Sequence, residues 1–160
     1  MRSWPVDSEE RFLSCYDATV ADVHRYATRL TGDRSRAEDL VQDVYLGLVR
    51  RARAGEITEA SLGWLQLAVR HRFLDTLRAT DREQRRLRLV WSSGLTDTTA
   101  PDDPLAGVHL SDRERAALTL RYVDDLPVAE VGHALGMSVR ATESLLARAR
   151  ARVRSEVRDA

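Results

Sequence analysis

The end of the chain contains a helix whose side chains could contact nucleic acid. Residues 139–157 have apolar side chains at helical spacing and follow the turn Gly136-Met137-Ser138, whose serine can cap the helix. The outward positions of this helix are Arg140, Ala141, Glu143, Ser144, Leu145 and Arg148. Because an arginine fork matches guanine edges and phosphates at two points, the helix is predicted to read base edges in a DNA major groove.

Several side chains on this helix have two readings each. Glu143 could accept a hydrogen bond from a cytosine amino group, or it could pair with a neighbouring arginine. Leu145 could touch a thymine methyl group, or it could belong to the core. The arginines at positions 148, 150, 152 and 154 alternate mainly with alanine. That alternation spreads them around the helix, so only some of them can meet phosphate.

A second group of candidate residues lies on a helix predicted from about Ser61 to Thr80. Four members share one helix face at spacings of four, three and four residues, and a fifth lies beside them: His71, Asp75, Arg78, Arg82 and Arg72. Trp64 and Phe73 could stack on unpaired bases, but both are interpreted as core residues. This face is also predicted to contact nucleic acid.

The residue types that catalysis requires do not form a recognisable site. The histidines show no metal-ligand spacing with one another or with the single cysteine, Cys15, and there is no glycine-rich phosphate loop. We therefore expect no catalytic residues, no metal, no cofactor and no small-molecule substrate. Cys15 cannot form an internal disulfide, which favours a reducing compartment, and its apolar helical surroundings predict burial.

Composition is compatible with a packed helical protein but does not by itself indicate a nucleic-acid partner. Hydrophobic residues make up 43% of the 160 residues, and the 25 basic residues, all arginine, balance 25 acidic ones. Nucleic-acid-binding proteins usually carry excess positive charge, so the argument rests on where the arginines lie. There is no run of about 18 apolar residues and no amino-terminal export signal. We expect a cytoplasmic protein without membrane insertion.

The elements that must position these residues are almost all helical, since strand alternation is absent. The first helix is predicted to begin near Asp7 and to end at Gly32, and the second is predicted to begin with a capping box at Ser35-Arg36-Ala37-Glu38. The second helix has an apolar side and an outer face formed by Asp39, Gln42, Asp43, Leu46 and Arg50.

The second half of the chain begins with a predicted linker. Residues 92–107 are rich in Ser, Thr, Asp, Gly and Pro, and Trp91 before them is expected to pack back onto the first domain. A capping box at Ser111 and Glu114 opens the next helix, and Pro127 precedes a short one. The expected fold is all-α, with helical domains at 1–90 and 110–160 joined by a flexible linker at 91–109.

Several stretches, in the expected order, resemble the extracytoplasmic-function sigma factors of bacterial RNA polymerase. Residues 25–33 and 37–45 resemble the core of sigma region 2, and residues 64–65 and 70–78 resemble the helix that reads the minus-ten element. Residues 120–127 and 129–131 resemble sigma region 4. The resemblance implies a three-helix region 2 domain and a region 4 helix-turn-helix domain.

The resemblance also implies roles. The outer face of the second helix would bind the clamp helices of core RNA polymerase. The face from His71 to Arg82 would capture unstacked bases of the melted minus-ten element, with residues 55–63 shaping the pocket. The last helix would read the minus-thirty-five element of promoter DNA, and an anti-sigma factor is a possible further partner.

The chain departs from the family pattern at three positions. The family usually has Asn where this chain has His71, and commonly Lys and Arg where it has Glu143 and Leu145. The departures at positions 143 and 145 reduce positive charge and predict weak DNA binding without polymerase. Two alternatives remain: a stand-alone helix-turn-helix regulator, or a sigma factor held mainly by an anti-sigma protein. The face around Asp39, Gln42 and Asp43 distinguishes a sigma factor from the first alternative, because a stand-alone regulator does not need a polymerase-binding face.

Overall fold

The computed structural model describes residues 1–87, 103 and 105–159. Within those residues the elements follow the order β1 (Ser3–Pro5), α1 (Glu9–Thr31), α2 (Arg34–Arg53), β2 (Glu59–Ser61), α3 (Leu62–Leu87), α4 (Asp112–Tyr122), α5 (Val128–Leu135) and α6 (Val139–Asp159). The predicted all-α fold is confirmed. Trp91 and most of the predicted linker lie outside the described residues.

Helices α1, α2 and α3 pack against one another and form the N-terminal bundle. Its centre contains large side chains that are removed from solvent, including Leu30, Leu48, Leu65 and Phe73. Along each helix the buried side chains recur every three or four residues, so each helix turns one apolar stripe towards the other two. The interpretation of Phe73 as a core residue is confirmed, and Trp64 is half-buried against the same core.

A short strand pair, which the sequence patterns did not predict, closes one end of the N-terminal bundle. β1 and β2 are antiparallel, with Trp4 opposite Ala60. The backbone N–H of Val6 extends the pairing by donating to the carbonyl oxygen of Thr58 at 2.8 Å, and Val6 is buried. Three-residue strands are too short to show alternation, which explains why the pattern gave no signal.

The N-caps of the first two helices differ from the predicted ones. Ser8, rather than Asp7, caps α1 and accepts a hydrogen bond from the backbone N–H of Arg11 at 3.4 Å. Asp33, rather than Ser35, caps α2. In both cases the capping residue is the extended residue directly before the helix, whereas Asp7 pairs with the Arg11 side chain and Ser35 already lies in the first turn.

Helices α4, α5 and α6 form the C-terminal bundle. The capping box of Ser111 and Glu114 is confirmed at the start of α4. The turn between α5 and α6 uses Gly136 at a φ of 65°, and the Ser138 hydroxyl accepts from the backbone N–H of Ala141 at 3.2 Å. The two helices approach closely at Gly132, where an added Cβ would lie 2.8 Å from Thr142 Oγ1. This region therefore has the predicted helix-turn-helix layout.

The two bundles contact each other, α1 against α4 and α3 against α5. Asp103, in the predicted linker, is buried and pairs with Arg115 of α4 at 2.5 Å. Among the described residues, no helix combines the length and the apolar character needed to cross a membrane.

Candidate nucleic-acid interface

The outer face of α2 is exposed along its whole predicted length. Its members are all exposed to solvent: Asp39, Gln42, Asp43, Leu46 and Arg50. Leu46 is 49% exposed, which is unusual for a leucine in the middle of a well-packed helix. The α2 face therefore combines acidic and amide groups with an accessible apolar side chain, which suits a protein partner.

An aromatic groove between α1 and α2 continues this face. Tyr16 and Tyr45 stack edge to face with ring centroids 4.8 Å apart, and Phe12 lies against Tyr45 at 6.4 Å. Thr19 Oγ1 donates to the carbonyl oxygen of Cys15 at 2.6 Å, so the Tyr45 hydroxyl donates to Thr19 Oγ1 at 2.7 Å. Burial raises the pKa of Tyr45 to about 12. Tyr16 is 37% exposed in this groove.

The predicted face on α3 is also exposed: His71, Arg72, Asp75, Arg78 and Arg82. Three of its charges have partners within the N-terminal bundle. Arg78 pairs with Asp75 one turn earlier at 3.3 Å. Arg72 pairs with Asp43 of α2 at 3.2 Å, so the α2 face and the α3 face adjoin. The sequence patterns placed the two faces on separate helices and did not show that they touch.

A cleft separates the α3 face from α5. Its α3 wall includes Arg70, His71 and Asp75, and its α5 wall includes Glu130 and His133. Arg78 crosses it, since its Nη2 donates to the carbonyl oxygen of Ala134 at 2.8 Å. The predicted minus-ten face is therefore turned towards the C-terminal bundle, and the sequence contained no signal for this.

The α6 face is exposed at five of the six predicted positions: Arg140, Ala141, Glu143, Ser144 and Arg148. The sixth prediction was wrong, because Leu145 is 6% exposed and lies in the core. The buried positions Thr142, Leu145, Leu146 and Ala149 form a broader stripe than the one predicted. A helix that packs against two neighbouring helices needs such a broad buried stripe. Leu145 belongs to this stripe and therefore cannot contact DNA.

The arginines at the end of α6 divide by role. Arg150 donates to the Tyr122 hydroxyl at 3.1 Å, and Arg152 donates to the carbonyl oxygen of His109 at 3.3 Å. Both therefore tie α6 to its own bundle. Within the described part of the chain, no ion pair is formed by Arg140, Glu143 or Arg148, so these charges face solvent. Glu143 therefore forms no ion pair with a neighbouring arginine among the described residues.

Other chemistry has little support in the described residues. No three His, Cys, Asp or Glu side chains there lie close enough together to hold a metal ion. Cys15 is buried, as predicted, and burial raises the pKa of its thiol. A buried thiol with a raised pKa is a poor nucleophile at neutral pH.

Comparison with known proteins finds relatives over most of the chain. Residues 15–83 match the family model for sigma-70 region 2, and residues 108–153 match the model for sigma-70, region 4. The ECF RNA polymerase sigma factor SigK of Mycolicibacterium vanbaalenii is 31% identical, over 84% of this chain and 76% of the relative. SigL of Mycobacterium tuberculosis is 28% identical, over 82% and 80%. SigW of Bacillus subtilis is 21% identical, over 94% and 91%.

A solved sigma factor structure has a similar fold. It is the sigma factor RpoE in complex with the anti-sigma factor NepR from Bartonella quintana, with a TM-score of 0.53 and 21% sequence identity. The similarity covers 92% of this chain and 96% of that one. At this level of sequence identity, the similarity shows only that the helices of the two chains are arranged alike.

Proposed function

The chain belongs to the extracytoplasmic-function sigma factors, and from this premise we propose that it binds core RNA polymerase and directs promoter recognition, DNA melting and transcription initiation. The observation that carries the proposal is the presence of both sigma regions, in order, on one chain. It acts as a non-catalytic specificity subunit in the cytoplasm. An anti-sigma protein is a further proposed partner, because a relative of similar fold was solved with one bound.

The proposed polymerase-binding surface is the α2 face: Asp39, Gln42, Asp43, Leu46 and Arg50. Its support is the exposure of all five side chains and the aromatic groove beside them. An exposed leucine flanked by a carboxylate, an amide and an arginine offers an apolar anchor with a polar rim, the composition of many protein interfaces. The clamp helices of core polymerase are the proposed occupant.

The proposed promoter-binding surfaces lie on two other helices. The minus-ten element is assigned to the α3 face: His71, Arg72, Asp75, Arg78 and Arg82. The minus-thirty-five element is assigned to the α6 face without Leu145: Arg140, Ala141, Glu143, Ser144 and Arg148. This division corresponds to proposed domains at 1–90 and 110–160 with a linker at 91–109. Exposure at these positions supports both assignments.

Run-off transcription with purified core polymerase on a genomic library tests the proposal. Transcripts should begin at a limited set of sites sharing two spaced elements. Because Asp43 is exposed, Asp43→Arg should abolish association with core polymerase while the fold stays intact, as measured by pull-down and circular dichroism. Glu56→Arg is the matched control, since it reverses another exposed charge of the N-terminal bundle outside the α2 face. Unchanged affinity of the Asp43→Arg chain for core polymerase would defeat the sigma assignment.

A further inference from the structure

Gly47 lies in the interior of α2, at a position where glycine is unfavourable. Apart from proline, glycine is the residue that most weakens the interior of a helix, because its backbone loses the most freedom when the helix forms. α2 nevertheless runs without interruption from Arg34 to Arg53, so Gly47 neither ends the helix nor breaks it. Helix propensity therefore does not explain the choice of glycine at this position.

The described part of the chain does not explain it either. By comparison, Gly136 has a positive φ of 65°, and at Gly132 an added Cβ would lie 2.8 Å from Thr142 Oγ1. Gly47 has no positive φ. A Cβ built on it would have no heavy atom within 4 Å, apart from its chain neighbours and the backbone of its own helix. Neither backbone conformation nor packing among the described residues thus requires a glycine at position 47.

The space over Gly47 adjoins the α2 face. Asp43 lies one turn before Gly47 and Arg50 one turn after it, at the spacing that makes side chains neighbours on a helix. Both are exposed members of the α2 face, and so is Leu46, the residue directly before Gly47. Gly47 therefore forms a shallow depression at the edge of this face, bounded along the helix by an acidic and a basic side chain.

Neighbouring charges leave this depression open. The Asp43 carboxylate pairs with Arg72 of α3 at 3.2 Å, and Arg51, which also lies one turn after Gly47, pairs with Glu56 at 3.3 Å. In the described residues, no ion pair along α2 joins a side chain before Gly47 to one after it. The side chains around Gly47 therefore do not fill the depression.

We propose that a helix of core RNA polymerase comes closest to α2 at Gly47 and places one of its own side chains in this depression. The inference rests on the proposed function, since it concerns the partner of the α2 face. The axes of two packed helices lie about 8–10 Å apart, and the side chains at the contact decide the distance. A glycine permits the shorter end of that range, so Gly47 sets how closely the partner helix packs.

The surroundings of Gly47 favour a polypeptide over nucleic acid as the occupant. The Asp43 carboxylate would repel a phosphate backbone. An accessible leucine beside charges of both signs has instead the mixed composition of a protein interface. The bare backbone at Gly47 gains close contacts with such a partner that a larger residue would prevent. A residue that weakens the free helix is thus explained by contacts that form only in the complex.

Two substitutions at position 47 separate contact with the partner from stability of the fold. Gly47→Ala should raise the melting temperature of the free chain by about 2–4 °C, because alanine favours a helix interior. The same substitution should weaken the affinity for core polymerase about threefold, and Gly47→Leu should weaken it at least about tenfold, because a close contact must then accommodate the added atoms. Misfolding cannot produce weaker binding by a more stable chain.

Calorimetry of each free chain gives the melting temperature. Titration of purified core polymerase into the chain, labelled with a fluorophore at its amino terminus, gives the affinity by fluorescence anisotropy. Ala21→Leu is the matched control. Ala21 is exposed in the interior of α1, on the side opposite to the buried residues of that helix, so its leucine adds bulk away from the α2 face. This variant should bind core polymerase as tightly as the wild type.

Three results would overturn the inference while wild-type binding still supports the proposed function. Gly47→Leu could bind core polymerase as tightly as the wild type. Gly47→Ala could fail to raise the melting temperature, which would show that the fold itself uses the glycine. Both variants could keep their affinity for polymerase but weaken binding of the holoenzyme to promoter DNA, which would assign the depression to nucleic acid. A wild-type chain that does not bind core polymerase refutes the proposed function and this inference together.

Discussion

The two helices proposed to contact promoter DNA have different surroundings. The α3 face is turned towards α5, and three of its charges are already paired: Arg72, Asp75 and Arg78. The α6 face points to solvent, and in the described part of the chain Arg140 and Arg148 have no ion-pair partner. Both helices carry arginines on one exposed face, so the difference comes from tertiary contacts and not from residue type.

This difference predicts what each face must give up when DNA binds. Exposed ion pairs contribute about 0–1 kcal/mol each, so the α3 charges can exchange their partners at little cost. Arg140 and Arg148 of the α6 face, which form no ion pair in the described part of the chain, need no such exchange. We therefore expect DNA binding at the α6 face to proceed without rearrangement of ion pairs, whereas binding at the α3 face replaces existing ones.

The largest expected effect comes from a substitution that tests which side of α6 is buried. Leu145→Ala should lower the free energy of unfolding by about 2–5 kcal/mol, because it leaves a cavity under the helix that carries the α6 face. Thermal and urea denaturation measure this change. Leu46→Ala is the control, since Leu46 is exposed on α2 and its truncation should leave stability nearly unchanged. Equal effects of the two substitutions would contradict the burial of Leu145.

Substitutions on the exposed α6 face should have an intermediate effect. Arg148→Ala should reduce transcription from a cognate promoter, with no change in stability. If Arg148 reads a base, its loss should weaken promoter binding by about 1–3 kcal/mol. Arg140→Ala should act in the same direction. A loss that is uniform across promoters would instead indicate a phosphate contact. Arg152→Ala is the control, since Arg152 bonds to its own bundle and should affect stability more than promoter use.

The smallest expected effect tests the contact between the two bundles, through Tyr26. Tyr26→Phe should lower the free energy of unfolding by about 1 kcal/mol, because Asp124 loses one donor. The pKa of Tyr26 is raised in the folded chain, so the stability that its hydroxyl contributes is present below the pKa of a free tyrosine and is lost as the pH rises beyond it. Wild type should thus lose stability in alkaline solution, and Tyr26→Phe should lose less.

Tyrosinate absorbance during a pH titration measures this difference. Tyr45, whose pKa is raised to about 12 by burial within the N-terminal bundle, should still ionise late in the Tyr26→Phe chain. It therefore serves as an internal control for intact packing of α1 against α2. If the substitution left alkaline stability the same as in wild type, the hydrogen bond between Tyr26 and Asp124 would not hold the bundles together.

Patterns that repeat along one helix were predictable. Gly32 and Gly136 end their helices at φ values of 63° and 65°, and the α2 face is exposed at every predicted position. Leu145 was predicted with the wrong orientation, because its burial depends on how many neighbours α6 has. The short strands and the caps Ser8 and Asp33 were missed, since backbone conformation and not residue spacing selects them.

The sequence by itself determined the helices, most of their outward faces and the family, because these follow from local periodicity, turn chemistry and ordered motifs. Only the tertiary structure decided what those faces meet. Tyr26 and Asp124 are 98 positions apart, and nothing in either neighbourhood indicates that they bond. Such contacts depend on how the helices pack in space, and that packing gives Arg72 and Arg78 of the α3 face partners on other helices.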